Sequence, residues 1–190
     1  MWRIGIEIRF RRYLSDDGEF RMDTNKAIYT RRSIRKYQNK PVPMELVKEA
    51  VKAAMFAPSA RNQQPWEFII IDKREMLDEI PKFSPHAAMA KEAPVGVLVC
   101  LNKLYEIAEG FFQQDLGAAT QNMLLSLHAA GLGAVWTGVY PREDRVGGFI
   151  KMLDLPENVV PFAFVIIGYP EKEPETADRF KKDRIHYNQW

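Results

Sequence analysis

Four short apolar runs restrict this chain more than any other feature: Trp66 to Ile71, Pro94 to Leu101, Ala134 to Val139 and Phe162 to Ile167. Each has the length of a buried strand and is short for a globular helix. Between them lie segments whose apolar residues recur at three- and four-residue spacing. Leu46, Val47, Ala50, Val51, Ala54 and Met55 mark Met44 to Phe56, and Leu116, Thr120, Met123, Leu124 and Leu127 mark Gly110 to Ala130, the longest helix expected. Strands separated by helices imply a layered sheet-and-helix domain. With 190 residues, the chain is one domain by length and large enough to bury a core.

The ends of these elements carry their own signals. Asp23 or Thr24 suits the N-cap of a short helix running to about Thr30. Pro43 sits near the first position of the Met44 to Phe56 helix, which Pro58 ends. A short helix is expected from Arg74 to Ile80, then an irregular or helical connection from Pro81 to Pro94. Gly131 suits a C-terminal cap, Arg142 to Leu153 is amphipathic, and Gly168-Tyr169-Pro170 ends the last strand. In residues 1–22, Ile4, Ile6, Ile8 and Phe10 alternate with polar residues or glycine ahead of Ser15-Asp16-Asp17-Gly18. This segment is either an extra strand or arm, or the product of an upstream start with translation beginning at Met22. The main domain is then 23–190.

The densest chemistry lies in Arg31-Arg32-Ser33-Ile34-Arg35-Lys36-Tyr37. Arginine's planar fork offers paired donors to two phosphate oxygens and stays charged at physiological pH. Taken alone, the run reads equally as a solvated basic face. A second stretch follows, Ala57-Pro58-Ser59-Ala60-Arg61-Asn62-Gln63-Gln64-Pro65-Trp66-Glu67-Phe68, a loop of short polar side chains leading straight into the first apolar run. In this order and spacing the two segments resemble the paired boxes of the FMN-dependent nitroreductase family. The resemblance continues through Gly131-Leu132-Gly133-Ala134-Val135-Trp136-Thr137-Gly138 and the tail from Arg179 to Trp190, and covers roughly residues 23 to 190.

That resemblance implies an α+β fold with a central mixed or antiparallel sheet of four to five strands, flanking helices, a long central helix and an intertwined homodimer with FMN at the subunit interface. It implies an oxidoreductase that takes electrons from NADH or NADPH and passes them through FMN to nitroaromatics, quinones or similar acceptors, with ping-pong kinetics. Carried over by position, Arg31, Arg32, Ser33 and Arg35 grip FMN, with Arg31 and Ser33 near the phosphate and Arg35 toward the N1–O2 edge of the ring. A fixed cation there would stabilise the negative charge that reduction places on that edge. Pro58, Ser59, Ala60 and Asn62 match a loop that reaches the flavin, usually in the partner subunit, with Gln63 and Gln64 as neighbouring candidates. Trp136, Thr137 and Gly138 match a strand end that passes the ring. Arg179 matches a basic residue closing on the phosphate, with Lys181 as its substitute. No dedicated acid or base is identified. Two other activities suit the same boxes: flavin storage or delivery without turnover, and reductive dehalogenation or flavin fragmentation as in some relatives.

Plainer roles stand beside these. Trp66 and Phe68 read as core, Trp136 as either ring contact or packing, and Lys36, Lys40, Lys181 and Lys182 as solvated. Arg61 stands where related boxes often have glycine or another small residue. The Gly-x-Gly at 131–133 follows a helix and opens a strand, the reverse of the dinucleotide fingerprint. His86, His128 and His186 lie far apart with no ligand spacing, so no metal site is expected. His128, near a helix end, reads as a capping or dipole-stabilising residue. Cys100 lies inside an apolar run, a small core residue that excludes an internal disulfide. A net charge of +2 gives no global attraction to nucleic acid. No stretch approaches the roughly 20 apolar residues of a membrane span, so a cytoplasmic location is expected.

Overall fold

The computed structural model describes residues 22–175 and 177–190; residues 1–21, where an extra strand or late start was expected, lie outside them. Helix α1, Thr24–Thr30, opens on Asp23, whose carboxylate accepts the backbone N–H of Lys26 at 3.1 Å. Helix α2, Met44–Met55, leads into the polar loop and then strand β1, Trp66–Ile71. Helix α3, Arg74–Phe83, passes through Pro81 in its last turn, three residues beyond the expected end. A proline there removes a single helical hydrogen bond. A 3-10 segment, Pro85–Lys91, joins it to β2, Val95–Asn102. Helix α4, Phe112–Ala129, is followed by β3, Gly133–Gly138, then α5, Glu143–Leu153, and β4, Val159–Gly168.

The four strands form one antiparallel sheet in the order β1-β2-β4-β3. Both faces are covered, which is why the strands read as continuous apolar runs and not as alternations. Alternate residues of β2 divide between the faces. Val95, Val97, Val99 and Leu101 face α2 and α4, while Leu98 and Cys100 face α3 and α5. Each such side chain, fully buried, contributes roughly 1.5–3 kcal/mol. Burial pushes the Cys100 thiol up to about 12, so it stays protonated and inert as a small apolar residue.

β4 is longer than the apolar pattern suggested, because Val159 and Val160 pair with Asn102 and Leu101. Its irregularity falls where the register skips Phe162, beside Pro161, a position that tolerates a residue without an N–H. α4 ends in a Schellman motif: Gly131, at φ 74°, donates to His128 O and Leu132 donates to Leu127 O. Lys40 departs from its expected solvated state. Its Nζ lies 3.7 Å from the centre of the Tyr169 ring, a cation–π contact. Among the described residues no helix is long and apolar enough to cross a membrane.

Candidate functional site

The arginine segment runs along the free edge of β3. Ser33 forms a parallel bridge with Ala134, and Ile34 N–H donates to Ala134 O at 3.0 Å. Ile34 packs directly on Gly133, where an added Cβ would lie 2.8 Å from the Ile34 Cβ. That close approach is what Gly133 serves. Further on, the Tyr37 hydroxyl lies 2.7 Å from Ile34 O and 3.2 Å from Ile166 O, pinning the segment to the sheet.

Around this anchored backbone the cations converge. Arg31 is half-buried, and burial followed by the charges of Arg179 and Arg32 presses its guanidinium below the ordinary value. Arg32 turns to the backbone: Nη1 donates to Tyr29 O at 2.8 Å and Arg31 O at 2.7 Å, and Nη2 to Ala177 O at 3.3 Å. It therefore tethers the C-terminal tail that carries Arg179 to the segment that carries Arg31. Ser33, Arg35, Arg179 and Lys181 are exposed. None of the ion pairs among the described residues involves Arg31, Arg32, Arg35 or Arg179. A group of cations left without carboxylates is the donor set for a multiply charged anion such as a phosphate monoester.

Beside this cluster stands His128, in the last turn of α4. Its Nε2 lies 2.8 Å from Thr30 Oγ1, and Thr30 Oγ1 also donates to Lys26 O at 2.6 Å. Burial first, then Arg31 and Arg32, hold the imidazole below its ordinary value, with Lys26 acting in the same direction and Glu173 against it. The expected dipole-stabilising cation is thus disfavoured, first by burial and then by the positive charge next to it.

The second box is organised by a residue that the sequence reading passed over. Asp115, buried in the first turn of α4, accepts Ala60 N–H on Oδ1 at 2.9 Å and Gln63 Nε2 on Oδ2 at 2.6 Å. Gln63 Oε1 accepts in turn from Ile107 N at 2.9 Å and Ala108 N at 2.8 Å. Gln63, a neighbouring candidate for ligand contact, is therefore buried and engaged within the protein at both ends of its amide. Ser59 Oγ accepts Gln64 N–H at 3.0 Å, closing the loop. Arg61, Asn62 and Gln64 have φ of 51°, 54° and 47°. Residues with a Cβ adopt this region at a cost of order 1–3 kcal/mol, which gives the reason a small residue suits position 61. Pro58 and Asn62 are exposed at the loop's surface, and Ser59 and Ala60 are partly so.

At the far end of β3, Trp136 is partly exposed on the α4 face, with its ring 5.8 Å from that of Phe162 and its tip over Gly117. Thr137 points the other way, buried, and donates its hydroxyl to Phe164 O at 2.9 Å; only its backbone remains for a ligand. An added Cβ at Gly138 would meet nothing within 4 Å, and Gly138 O accepts from Arg145 Nη1 at 2.7 Å. Trp66 is buried and Phe68 packs against the same core. Asp115 had a sequence signal, a carboxylate on the apolar line of a helix. Arg145 and the Thr30–His128 pair had none.

The structure therefore divides the expected residues into two groups. The arginine segment and Trp136 to Gly138 share the β3 edge. The second box precedes β1, at the opposite edge. Helix α4 measures the gap: Asp115 holds the second box, and His128, thirteen residues on and about 20 Å along the axis, stands beside Arg31. Within one chain the two boxes do not meet. Among the described residues no three His, Cys, Asp or Glu side chains gather as metal ligands.

Comparison with known proteins follows the same lines. The nitroreductase family model matches residues 28–97 and 84–169. A Methanothermobacter thermautotrophicus protein provisionally named NADH dehydrogenase/NAD(P)H nitroreductase is 51% identical over 170 residues, covering 90% of this chain and 89% of that protein. A crystal structure from Clostridium acetobutylicum, provisionally named NADH oxidase, superposes with a TM-score of 0.84 at 40% identity, covering 86% of this chain and 99% of the other. A provisionally named nitroreductase from Desulfovibrio desulfuricans, solved in complex with FMN, gives 0.76 at 28% identity, covering 89% and 99%.

Proposed function

The chain belongs to the nitroreductase family, and from that premise we propose that it is an FMN-dependent oxidoreductase drawing electrons from NADH or NADPH, with residues 23–190 as its FMN-binding unit. The observation that carries this reading is the convergence of Arg31, Arg32 and Arg179 at the β3 edge with no carboxylate partner among the described ion pairs. Those cations fit the phosphate end of FMN. Gly138, open to its surroundings about 13 Å along the strand from Ala134, suits the approach of a flat ring on the same side.

FMN bound there would supply the redox chemistry, carrying electrons from a nicotinamide donor to an acceptor. This chain's own residues bind and orient it. Arg31 and Arg179 hold the phosphate, Arg32 fixes the tail that brings Arg179 in, and Ser33 contributes at the same end. Arg35 would offer a cation toward the N1–O2 edge. Trp136 and the backbone of Thr137 and Gly138 pass the ring.

Pro58, Ser59, Ala60 and Asn62 complete the site from a second copy of the chain, because their own box lies about 20 Å from the arginine cluster along α4. The protein is on this reading a homodimer with two shared sites. The donor and the acceptor, a nitroaromatic or quinone, would be used in turn at the same site. Initial-rate plots at several donor concentrations should then be parallel.

An anaerobic absorbance spectrum before and after NADH, then NADPH, tests the proposal. A flavin spectrum that one donor bleaches and an acceptor restores is expected. A flavin that stays oxidised with both donors would shift the assignment to storage or delivery. A colourless protein that cannot be reconstituted with FMN would overturn it.

A further inference from the structure

Among the described residues, His128 is a partly buried titratable group on which the charges of Arg31 and Arg32 act, and the reading above gives it no role. Thr30 Oγ1 has a single proton, and it goes to Lys26 O at 2.6 Å. The 2.8 Å contact with His128 Nε2 must therefore run the other way, with Nε2–H donating to Thr30 Oγ1. This fixes the neutral tautomer and leaves Nδ1 as the ring's basic nitrogen. The bond ties the last turn of α4 to the last residue of α1, the residue immediately before Arg31. The charged groups around the ring are Lys26 from α1, Arg31 and Arg32 from the arginine segment, and Glu173 from the loop after β4. Three are positive and one is negative.

We propose that His128 is a positioning residue for the anionic end of the bound cofactor, taking a proton from solvent at Nδ1 when that anion settles among Arg31, Arg32 and Arg179. This rests on the FMN reading, and the physical step is short. Before binding, the neighbouring guanidiniums oppose a further positive charge. A phosphate neutralises them, so the same imidazole gains a net favourable field and its proton affinity rises. By linkage, the protonated imidazole strengthens anion binding by the same factor. Through Nε2–H and Thr30, either protonation state keeps Arg31's backbone in place, so the proton changes the field and leaves the anchor intact.

The chain has only three histidines, His86, His128 and His186, so the experiment is a proton NMR titration of their ring signals, assigned with His86→Gln and His186→Gln. It is run on apoprotein, on protein saturated with FMN, and on protein with riboflavin, which lacks the phosphate. FMN is expected to raise the His128 midpoint by about one pH unit, riboflavin to leave it in place. Alongside, the FMN dissociation constant is measured from pH 8 to 5.5. The ratio of His128→Gln to wild-type constants should grow toward tenfold, the limit set by a one-unit shift, as pH falls, while protonation of the free phosphate affects both equally. An FMN-bound protein whose His128 midpoint does not move, or moves equally with riboflavin, overturns this inference alone. Failure to bind FMN at all overturns it together with the function proposed above.

Discussion

Asp115 shows how much of this site is set by one side chain. Its two oxygens each take one donor, from Ala60 N–H and Gln63 Nε2, and Gln63 passes the constraint to the backbone of Ile107 and Ala108. An asparagine has one acceptor, so Asp115→Asn sets an N–H₂ against a donor that it cannot satisfy. Gln63 cannot flip to help, because Oε1 would abandon two backbone N–H groups. Leaving such a buried group unpaired costs about 1–3 kcal/mol, and denaturant unfolding should show a loss of about that size. FMN affinity should fall in the same variant, since residues 59–64 lose the support for their left-handed backbone. An Asp115→Asn protein with unchanged unfolding midpoint would mean that the network carries no net stability. Little of this was legible beforehand: the types of residue in the second box and at the end of β3 suggested ligand contact, yet Gln63 and the Thr137 hydroxyl are both consumed inside the protein. Sequence shows which donors a loop owns, and only packing shows which way each faces.

At the scale of elements, β3 and its contact with the arginine segment decide where the cations stand. Gly133 is the hinge of that contact, since a methyl group there would lie 2.8 Å from Ile34 Cβ and 2.8 Å from its Cγ2. Gly133→Ala should push residues 33 and 34 off the β3 edge, costing about 1–3 kcal/mol and weakening FMN binding more than riboflavin binding. Equal weakening of both would place the effect at the ring and not at the phosphate. The strands and the long helix were legible because their apolar periodicity is local. The ends of α3 and β4 were not. The first runs through Pro81, and the second is extended by pairing with Leu101 and Asn102, partners about sixty residues away in sequence.

For the whole molecule, the separation of the two boxes along α4 makes a single protomer an incomplete site on the function proposed here. The exterior agrees with a second copy. Ile28 and Tyr29 of α1 and Met55 and Phe56 at the end of α2 expose apolar surface, Phe56 lines a groove of about 410 Å³ between α1, α2 and α4, and the tail exposes Phe180, Ile185, Tyr187 and Trp190. Sedimentation should give a dimer, and complementation tests the sharing. A variant with Arg31→Ala and Arg179→Ala is co-expressed with one carrying Asn62→Ala and Ser59→Ala. Each mixed dimer then holds one site with every defect and one with none, so about a quarter of wild-type flavin content should return under random pairing. A mixture no better than its parents would place each site within one chain.

The sequence by itself determined the element types, their sheet-and-helix layering, the inward placing of Cys100 and the family, because these follow from local periodicity and from short motifs read in order. It also determined which cations are near one another along the chain. Only the tertiary structure decided that Arg179 comes to Arg31, that Asp115 holds the second box and that His128 faces the arginines. It also placed the two boxes about 20 Å apart along α4. Those relations join residues separated by as many as 148 positions, Arg31 to Arg179. Residues so distant meet through the burial of apolar faces, which sets the position of every polar group carried on them.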